Sequence, residues 1–159
     1  MKGKSTASNI AKYIIYVFQD VGDWITNMKV QKLLYYVQGW HLANHQACAF
    51  DEELEAWVHG PVVPQVYQEY KDYRWRPITH EISKPPLDKA IIGHIDIVLD
   101  SYGGENAYSL EARTHNEYPW VKARGNLDRA AECHNIISKS SMQKYFTMLQ
   151  EDSNETERS

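Results

Sequence analysis

Cysteine is scarce in this chain, and its scarcity limits what can hold the fold together. The 159 residues include only two cysteines, Cys48 and Cys133, and neither belongs to a Cys-x-x-Cys pair. Two thiols are too few for the disulfide framework of a small secreted domain. We therefore expect reduced thiols and a single fold held by one hydrophobic core.

Long apolar runs are also missing. No stretch approaches the roughly 20 residues of a membrane-spanning helix, and one of the longest, residues 13–18, is flanked by Lys12 and Asp20. Residues 1–9 carry two lysines but no apolar segment before a small-residue cleavage site, which argues against a secretory signal. These absences predict a soluble protein of the cytoplasm with no membrane partner.

Neither sign of charge dominates. Seventeen basic and 21 acidic residues give a net charge of −4, and the lysines and arginines are scattered along the chain. Binding to a phosphate backbone depends on clustered cations, so nucleic acid is disfavoured as a ligand. Residues 151–159 are polar and acidic with nothing apolar to anchor them, which predicts a disordered tail. We expect a flexible N-terminus at residues 1–9 and a helical domain at residues 10–150.

Helical periodicity is the main feature that the sequence does contain. The segment at 87–102 has the most apolar stripe and is predicted to form the central helix. Gly39 interrupts the second helix, which predicts that another backbone passes close to it. Apolar spacing, caps and prolines predict helices over about 10–21, 27–44, 87–102 and 106–114, a last one carrying 142–149, and short ones beginning near Pro64 and Pro119.

Two segments favour extended structure. Residues 50–58 partly alternate between apolar and polar side chains, and residues 78–82 could add a short strand within a proline-rich connector. The predicted fold class is therefore mainly α. We expect a compact single-domain bundle of five to seven helices with a short β-hairpin or extended arm near residues 50–58 and 78–82.

Candidate reactive groups are few. His41 and His45 share one helix face and Cys48 follows within reach, so a metal-dependent enzyme is one alternative. That helix lacks the glutamate of a metalloprotease motif, and a further ligand is not evident. Cys133 and His134 are neighbours that would face different directions on a helix, which does not suit a nucleophile and its base. We expect no enzyme active site, no metal and no cofactor.

Four blocks of sequence form a specific pattern. They are LYYVQGWHL at 34–42, FDE at 50–52, EAWVHGPVVPQVY at 55–67 and THNEYPW at 114–120. In order and spacing they resemble the SocA-like Panacea domain over about residues 10–149. The resemblance implies a compact, mostly helical antitoxin of bacterial or phage toxin-antitoxin systems, which binds and neutralises a toxin encoded next to it. One branch of the family instead delivers its toxin to a protease.

The resemblance assigns a structural role to the motif residues, but it supplies no list of partner contacts and does not extend over residues 123–135. Thr114, His115 and Trp120 are expected to fix a corner of the fold by hydrogen bonding and burial. The motif residues are Gln38, Gly39, Trp40, His41, Gly60, Pro61, Pro64, Thr114, His115, Pro119 and Trp120.

A stiff turn offers a contact surface. Gly60, Pro61 and Pro64 would hold aromatic and apolar side chains in place, which limits the entropy lost on docking. Tryptophan and tyrosine are the usual anchors of protein interfaces. The same block could instead pack the arm against the first two helices. The predicted partner-binding residues are Trp57, His59, Val62, Val63, Tyr67 and Trp75.

The predicted function is that of an antitoxin whose partner is a cognate protein toxin, with neutralisation by direct binding. The alternatives are an adaptor that delivers the toxin to a cytoplasmic protease, a metal-dependent enzyme and a DNA-binding repressor. The repressor is disfavoured because the expected domain leaves too little chain for a DNA-binding segment. A homo-oligomer remains open.

Overall fold

The computed structural model describes the backbone of residues 5–158 and the side chains of residues 5–155. The first four residues of the expected flexible N-terminus lie outside this range. Seven α-helices and one short 3-10 helix account for most of the described chain, which confirms the mainly α class. They are α1 Ala7–Asp20, α2 Asn27–His45, α3 Pro64–Tyr70, the 3-10 helix Lys71–Tyr73, α4 Lys89–Tyr102, α5 Ala107–Thr114, α6 Tyr118–Arg124 and α7 Lys139–Arg158.

Local sequence sets the helix starts. The side chains of Thr6, Thr26 and Asn106 accept hydrogen bonds from the exposed backbone N–H groups at the starts of α1, α2 and α5. Pro64 opens α3, where its missing N–H costs nothing. Helix α1 begins at Ala7, three residues before the predicted start near residue 10, because Thr6 serves as its N-cap.

Helix α2, rather than the segment at 87–102, is the central element. Residues 30–39 are all buried, and α2 packs against α1, α3, α4, α5, α7 and the second strand. Helix α4 buries only one face, which includes Ile91, Ile95 and Val98. The prediction was wrong because a strongly one-sided apolar stripe marks a helix at the surface of a bundle.

A side chain, not a backbone, occupies the space beside Gly39. The ring of Phe146 from α7 lies directly on Gly39, so that a Cβ atom at this position would overlap it. Glycine at this position therefore permits a close approach, as predicted, but the group that approaches is an aromatic side chain and not a backbone. Trp40 and Tyr35 make edge contacts with the same ring.

Three short strands form an antiparallel sheet in the order β2-β1-β3. They are β1 Leu54–Trp57, β2 Gly60–Val62 and β3 Ile136–Ile137. Trp57 pairs with Gly60 across the hairpin, and Leu54 pairs with Ile137. The extended arm predicted near 50–58 is thus one strand of a hairpin that continues to Val62.

The strand predicted at 78–82 is not formed. The Gln19 side chain occupies the backbone groups that a partner strand would use, since its amide donates to the carbonyls of Ile78 and His80 and its oxygen accepts from the N–H of Ile82. Just before this segment, Pro77 forms an isolated bridge with Thr26.

The end of the chain also differs from the expected disordered tail. Helix α7 continues through the acidic residues as far as Arg158, and this stretch contains neither glycine nor proline to end it. Within residues 5–158, no helix combines the length and apolar character that crossing a bilayer would require.

Candidate functional site

The β1–β2 hairpin is fitted closely against α2. Gly60 has φ of +115°, a conformation that other residues rarely adopt, and an added Cβ would come within 2.5 Å of Lys32 Cε. Pro61 is buried next to it in β2. Glycine at position 60 therefore permits both the turn and the close approach of the hairpin to the helix.

Three side chains from the helices fasten the backbone around the hairpin. Trp120 Nε1 donates to the carbonyl of Trp57 at 2.9 Å, and Arg124 Nη1 donates to the carbonyl of Ala56 at 2.8 Å. Directly after β2, the Gln31 side-chain oxygen accepts from the N–H of Val63 at 2.9 Å. These bonds hold the backbone of the hairpin, including that of Trp57, in a fixed position.

The loop after α6 is organised around the same arginine. Arg124 Nη2 donates to the backbone carbonyls of Asp128, Arg129 and Ala131. The guanidinium also lies 4.7 Å from the centre of the Trp120 ring. One buried side chain thus connects the hairpin to the segment that leads into β3.

The family-motif residues near α5 and α6 form a packed corner. Thr114 Oγ1 donates to the carbonyl of Glu111 at 2.9 Å. His115 stacks on Trp120 with ring centres 4.2 Å apart, and burial lowers the pKa of His115. Pro119 is buried at the start of α6. The corner lies against the hairpin, because Trp120 also donates a hydrogen bond to the carbonyl of Trp57.

The remaining motif residues connect α2 to the chain that follows it. The Gln38 amide donates to the carbonyl of Phe50, and its oxygen accepts from the N–H of Ala49 at 2.8 Å. Trp40 Nε1 donates to the Tyr102 hydroxyl, and His41 Nδ1 donates to the carbonyl of Ala47. These bonds satisfy polar groups at the end of a buried helix.

A concavity of about 270 Å³ with mostly apolar walls opens beside the hairpin. We call it the hairpin pocket. Tyr67 and His134 both present ring edges to Trp57, at centre distances of 5.0 and 5.3 Å. The residues that line the hairpin pocket are Met28, Trp57, Val58, His59, Val62, Tyr67, Glu132, Cys133 and His134.

A second concavity continues the same surface. It has a volume of about 240 Å³, and we call it the α5 pocket. It shares Met28 and His59 with the hairpin pocket and adds the exposed rings of Trp75 and Tyr108. The two pockets together form what we call the aromatic face. The residues that line the α5 pocket are Thr26, Met28, His59, Trp75, Ala107, Tyr108 and Glu111.

The structure brings five of the six predicted partner-binding residues onto the aromatic face. Trp57, His59, Val62 and Tyr67 line the hairpin pocket, and Trp75 lines the α5 pocket. Val62 is itself fully buried and lies at the floor of its pocket. Val63 is fully buried and belongs to the hydrophobic core, so it lies behind this surface. The position of Val63 therefore matches the other interpretation of this block, in which it packs against the helices.

The rim of the aromatic face is polar and partly paired. His134 lies 2.9 Å from a Glu132 oxygen and 3.4 Å from a Glu55 oxygen, and the hydrogen bond to Glu132, with a further contribution from Glu55, raises its pKa. His59 Nδ1 lies 3.2 Å from Glu111 Oε2. An apolar floor inside a polar rim is the usual anatomy of a protein-binding surface.

Several residues of the aromatic face were not found from the sequence. Cys133 and His134 reach the hairpin pocket only because β3 pairs with β1, a long-range contact that no local motif indicated. Met28 contributes from α2. The sequence did contain a signal for Tyr108. Helix α5 buries Leu110 and Thr114, which lie on one face, and the helical period places Tyr108 on the opposite face, toward the outside.

The metal site considered for His41, His45 and Cys48 does not form in the described residues. No three histidine, cysteine, aspartate or glutamate side chains among them are arranged to hold a metal ion. The rings of His41 and His45 do lie 4.6 Å apart, and His94 comes within 5.0 Å of His41. His94 Nε2 is bonded to the carbonyl of Val37.

Lys32 and Glu117 are ionisable groups that lie buried in the core. Lys32 Nζ has no hydrogen-bond partner among the described residues, and burial lowers the pKa of this amine to about 7. The Glu117 carboxylate accepts hydrogen bonds from the hydroxyls of Tyr35 and Tyr36 at 2.9 and 3.0 Å. Burial outweighs these bonds and raises the pKa of Glu117 to about 7.

Comparison with known proteins identifies the family. The family model described as "Antitoxin SocA-like, Panacea domain" matches residues 30–121, more than half of the chain. This chain belongs to the SocA-like Panacea family. The matched range of the Panacea domain contains all four sequence blocks that suggested it, the hairpin, and two of the side chains that hold it, Gln31 and Trp120, whereas Arg124 lies just outside.

A curated relative points the same way. Antitoxin SocA of Caulobacter vibrioides (strain NA1000 / CB15N) is 32% identical to this Panacea chain over 109 residues. The alignment covers 60% of this chain and 58% of the relative, so the chain spans somewhat more than half of the relative's length. No solved structure matches the chain significantly.

Proposed function

We propose that this Panacea protein is an antitoxin that neutralises a cognate protein toxin by binding it directly through the aromatic face. Two findings support the antitoxin role, namely membership of the SocA-like family and the similarity to Antitoxin SocA. The proposal assigns the binding to the hairpin pocket and the α5 pocket.

The hairpin pocket carries the proposal. Trp57 and Tyr67 stand half-buried at an opening of about 270 Å³, in contact with each other and with space left for a partner side chain. Large aromatic side chains around a pocket of this kind are typical of interface residues that dominate binding energy.

Preorganisation makes binding through this surface economical. Trp120, Arg124 and Gln31 hold the hairpin backbone by hydrogen bonds in the free protein. A partner therefore does not have to order the hairpin, and less of the interaction energy is lost as conformational entropy. A protein that inhibits its partner by covering the partner's surface needs such a preformed binding surface, and it does not need a catalytic nucleophile.

Co-expression with the protein encoded next to this chain tests the proposal. We expect the wild-type chain to relieve toxicity and to co-purify with that protein. Trp57→Ala and Tyr67→Ala should each weaken binding by about 2 kcal/mol or more. Trp24→Ala is the matched control, because this tryptophan is 56% exposed in a separate concavity with Tyr16 and Ile82.

Thermal unfolding of each variant separates lost contacts from lost stability. A stable Trp57→Ala protein that binds and protects like the wild type would remove the hairpin pocket from the interface. Unrelieved toxicity with no complex for the wild-type chain would contradict direct neutralisation. Relief that depends on a cellular protease, with falling toxin levels, would favour an adaptor.

A further inference from the structure

A cluster of cations extends the aromatic face at one end. The sequence from Lys71 to Arg76 is KDYRWR, with three cations and one acid in a chain whose net charge is −4. These residues border an open concavity of about 750 Å³, which we call the cationic corner. Its lining residues are Tyr67, Lys71, Asp72, Arg74, Trp75 and Arg76.

The cationic corner is continuous with both pockets of the aromatic face. It shares Tyr67 with the hairpin pocket and Trp75 with the α5 pocket. Trp75 is 75% exposed. A protein that places an apolar anchor in the hairpin pocket therefore has its adjoining residues next to these cations.

No carboxylate among the described side chains pairs with the three cations of the corner. Lys71, Arg74 and Arg76 are all exposed, and none of them forms an ion pair with a carboxylate in residues 5–155. The acids on the rest of the aromatic face are placed differently, because Glu111 lies against His59 and Glu132 against His134. Asp72 is the one acid that lines the cationic corner, so the corner holds three cations against one acid, and the excess positive charge of this face lies at that end.

Backbone contacts fix the position of the corner. The N–H of Arg74 donates to the carbonyl of Lys71, and the N–H of Arg76 donates to the carbonyl of Tyr73. Just beyond the corner, the N–H of Ile78 donates to the carbonyl of Ile25, next to the bridge between Pro77 and Thr26. The arginines therefore project from a turn that is tied down at both ends.

We propose that the cationic corner recognises carboxylates on the bound toxin, next to the apolar or aromatic anchor that enters the hairpin pocket. This inference rests on the proposed function and specifies the partner's chemistry: a contact segment with aspartate or glutamate residues beside a large apolar side chain. Arginine suits this role because its planar guanidinium can bind a carboxylate through two parallel hydrogen bonds. The charge at one end of the face also sets the orientation of the partner.

Charge reversal provides the test, with the protein encoded next to this chain as the probe. The test variant is Arg74→Glu with Arg76→Glu. The control is Lys122→Glu with Lys144→Glu, which reverses two exposed cations near the exposed ring of Tyr118, at 5.5 and 5.8 Å. Circular dichroism and thermal unfolding verify that both proteins are folded, and Lys71→Glu alone serves as a milder test.

Association rates measured at about 20 mM and about 300 mM salt give the decisive comparison. We expect the Arg74/Arg76 variant to associate at least about tenfold more slowly than the wild type at low salt, because steering by complementary charge is lost, with the difference shrinking as salt rises. The control should stay within about twofold of the wild type. Acid-to-lysine changes in the toxin should restore binding to the variant when they reach the matching carboxylate.

The outcomes that overturn the inference differ from those that overturn the proposed function. Wild-type rates and salt dependence in the Arg74/Arg76 variant would refute carboxylate recognition while leaving neutralisation intact. An equal loss at both salt concentrations would assign the arginines to packing, which also refutes it. Salt-sensitive binding of a single-stranded oligonucleotide of about 20 nucleotides, lost in the variant, would mean that the cations bind phosphates instead. Failure of the wild type itself to bind or protect would contradict the proposed function.

Discussion

Replacing the buried lysine of α2 should stabilise the protein in a pH-dependent manner. Lys32 is fully buried, its amine has no hydrogen-bond partner among the described residues, and burial lowers its pKa from 10.5 to about 7. Lys32→Met keeps an unbranched side chain against Gly60 and removes the amine. The substitution therefore isolates the free-energy cost of burying this group.

The sign and size follow from proton binding. Between pH 7 and pH 10.5 the unfolded chain holds a proton on Lys32 that the folded chain has lost, so the stability of the wild type should rise with pH in this range. Each pH unit is worth about 1.4 kcal/mol. At about pH 7.5 the variant should be more stable by about 4 kcal/mol, and by about pH 9.5 this advantage should have shrunk by about 3 kcal/mol.

Urea unfolding of both proteins at about pH 7.5, 8.5 and 9.5 measures this difference. The comparison between the two proteins cancels the titration of every other group. Lys144→Met is the matched control because Lys144 is an exposed lysine on α7, and its unfolding free energy should follow that of the wild type. A difference between wild type and Lys32→Met that does not change with pH, or a less stable variant at about pH 7.5, would show that the amine is charged and partnered in the folded protein.

Three further substitutions address the core and the hairpin. Because burial raises the pKa of Glu117 from 4.5 to about 7, the folded protein keeps this proton where the unfolded chain loses it, so wild-type stability should fall relative to that of Glu117→Gln by about 3 kcal/mol between pH 4.5 and pH 7 in urea unfolding. Gly39→Ala should cost about 1 to 3 kcal/mol by overpacking against Phe146, and Phe146→Leu should recover part of that loss in a double-mutant cycle. Trp120→Phe removes the hydrogen bond to the carbonyl of Trp57 and should lower the unfolding free energy by about 1 kcal/mol; unchanged stability would mean that this bond does not fasten the hairpin.

Helices were largely predictable because their signals are local. Pro64 and Asn106 lie at helix starts, and the apolar spacing gave the bounds of α1, α2, α4 and α5 to within a few residues, whereas α7 continues well past the predicted residue 149. Which helix lies at the centre of the bundle could not be predicted from local signals. The polar Gln31 and Lys32 interrupt the apolar pattern of α2, yet both are buried, because Gln31 bonds to the hairpin and Lys32 packs under Gly60.

The aromatic face was predictable only in part. Trp57, Tyr67 and Trp75 lie within twenty residues of one another, so a stiff turn between them was enough to suggest a shared surface. His134 is distant in sequence and reaches Trp57 through pairing between β1 and β3. The strand predicted at 78–82 failed for a related reason, since the Gln19 side chain binds its backbone and no local pattern reveals such a partner.

Among the described residues, every hydrogen bond of Arg124 goes to a main-chain oxygen, and these oxygens belong to Ala56, Asp128, Arg129 and Ala131. Every amino acid has the same backbone carbonyl group, so these hydrogen bonds do not depend on which side chains the loop after α6 carries. Glu132 and His134 follow these carbonyls and line the hairpin pocket, and their side chains take no part in the hydrogen bonds of Arg124. The backbone anchor is therefore separate from the side chains of Glu132 and His134 that would meet a partner, so changes in these two side chains alter the proposed binding surface while the scaffold stays in place.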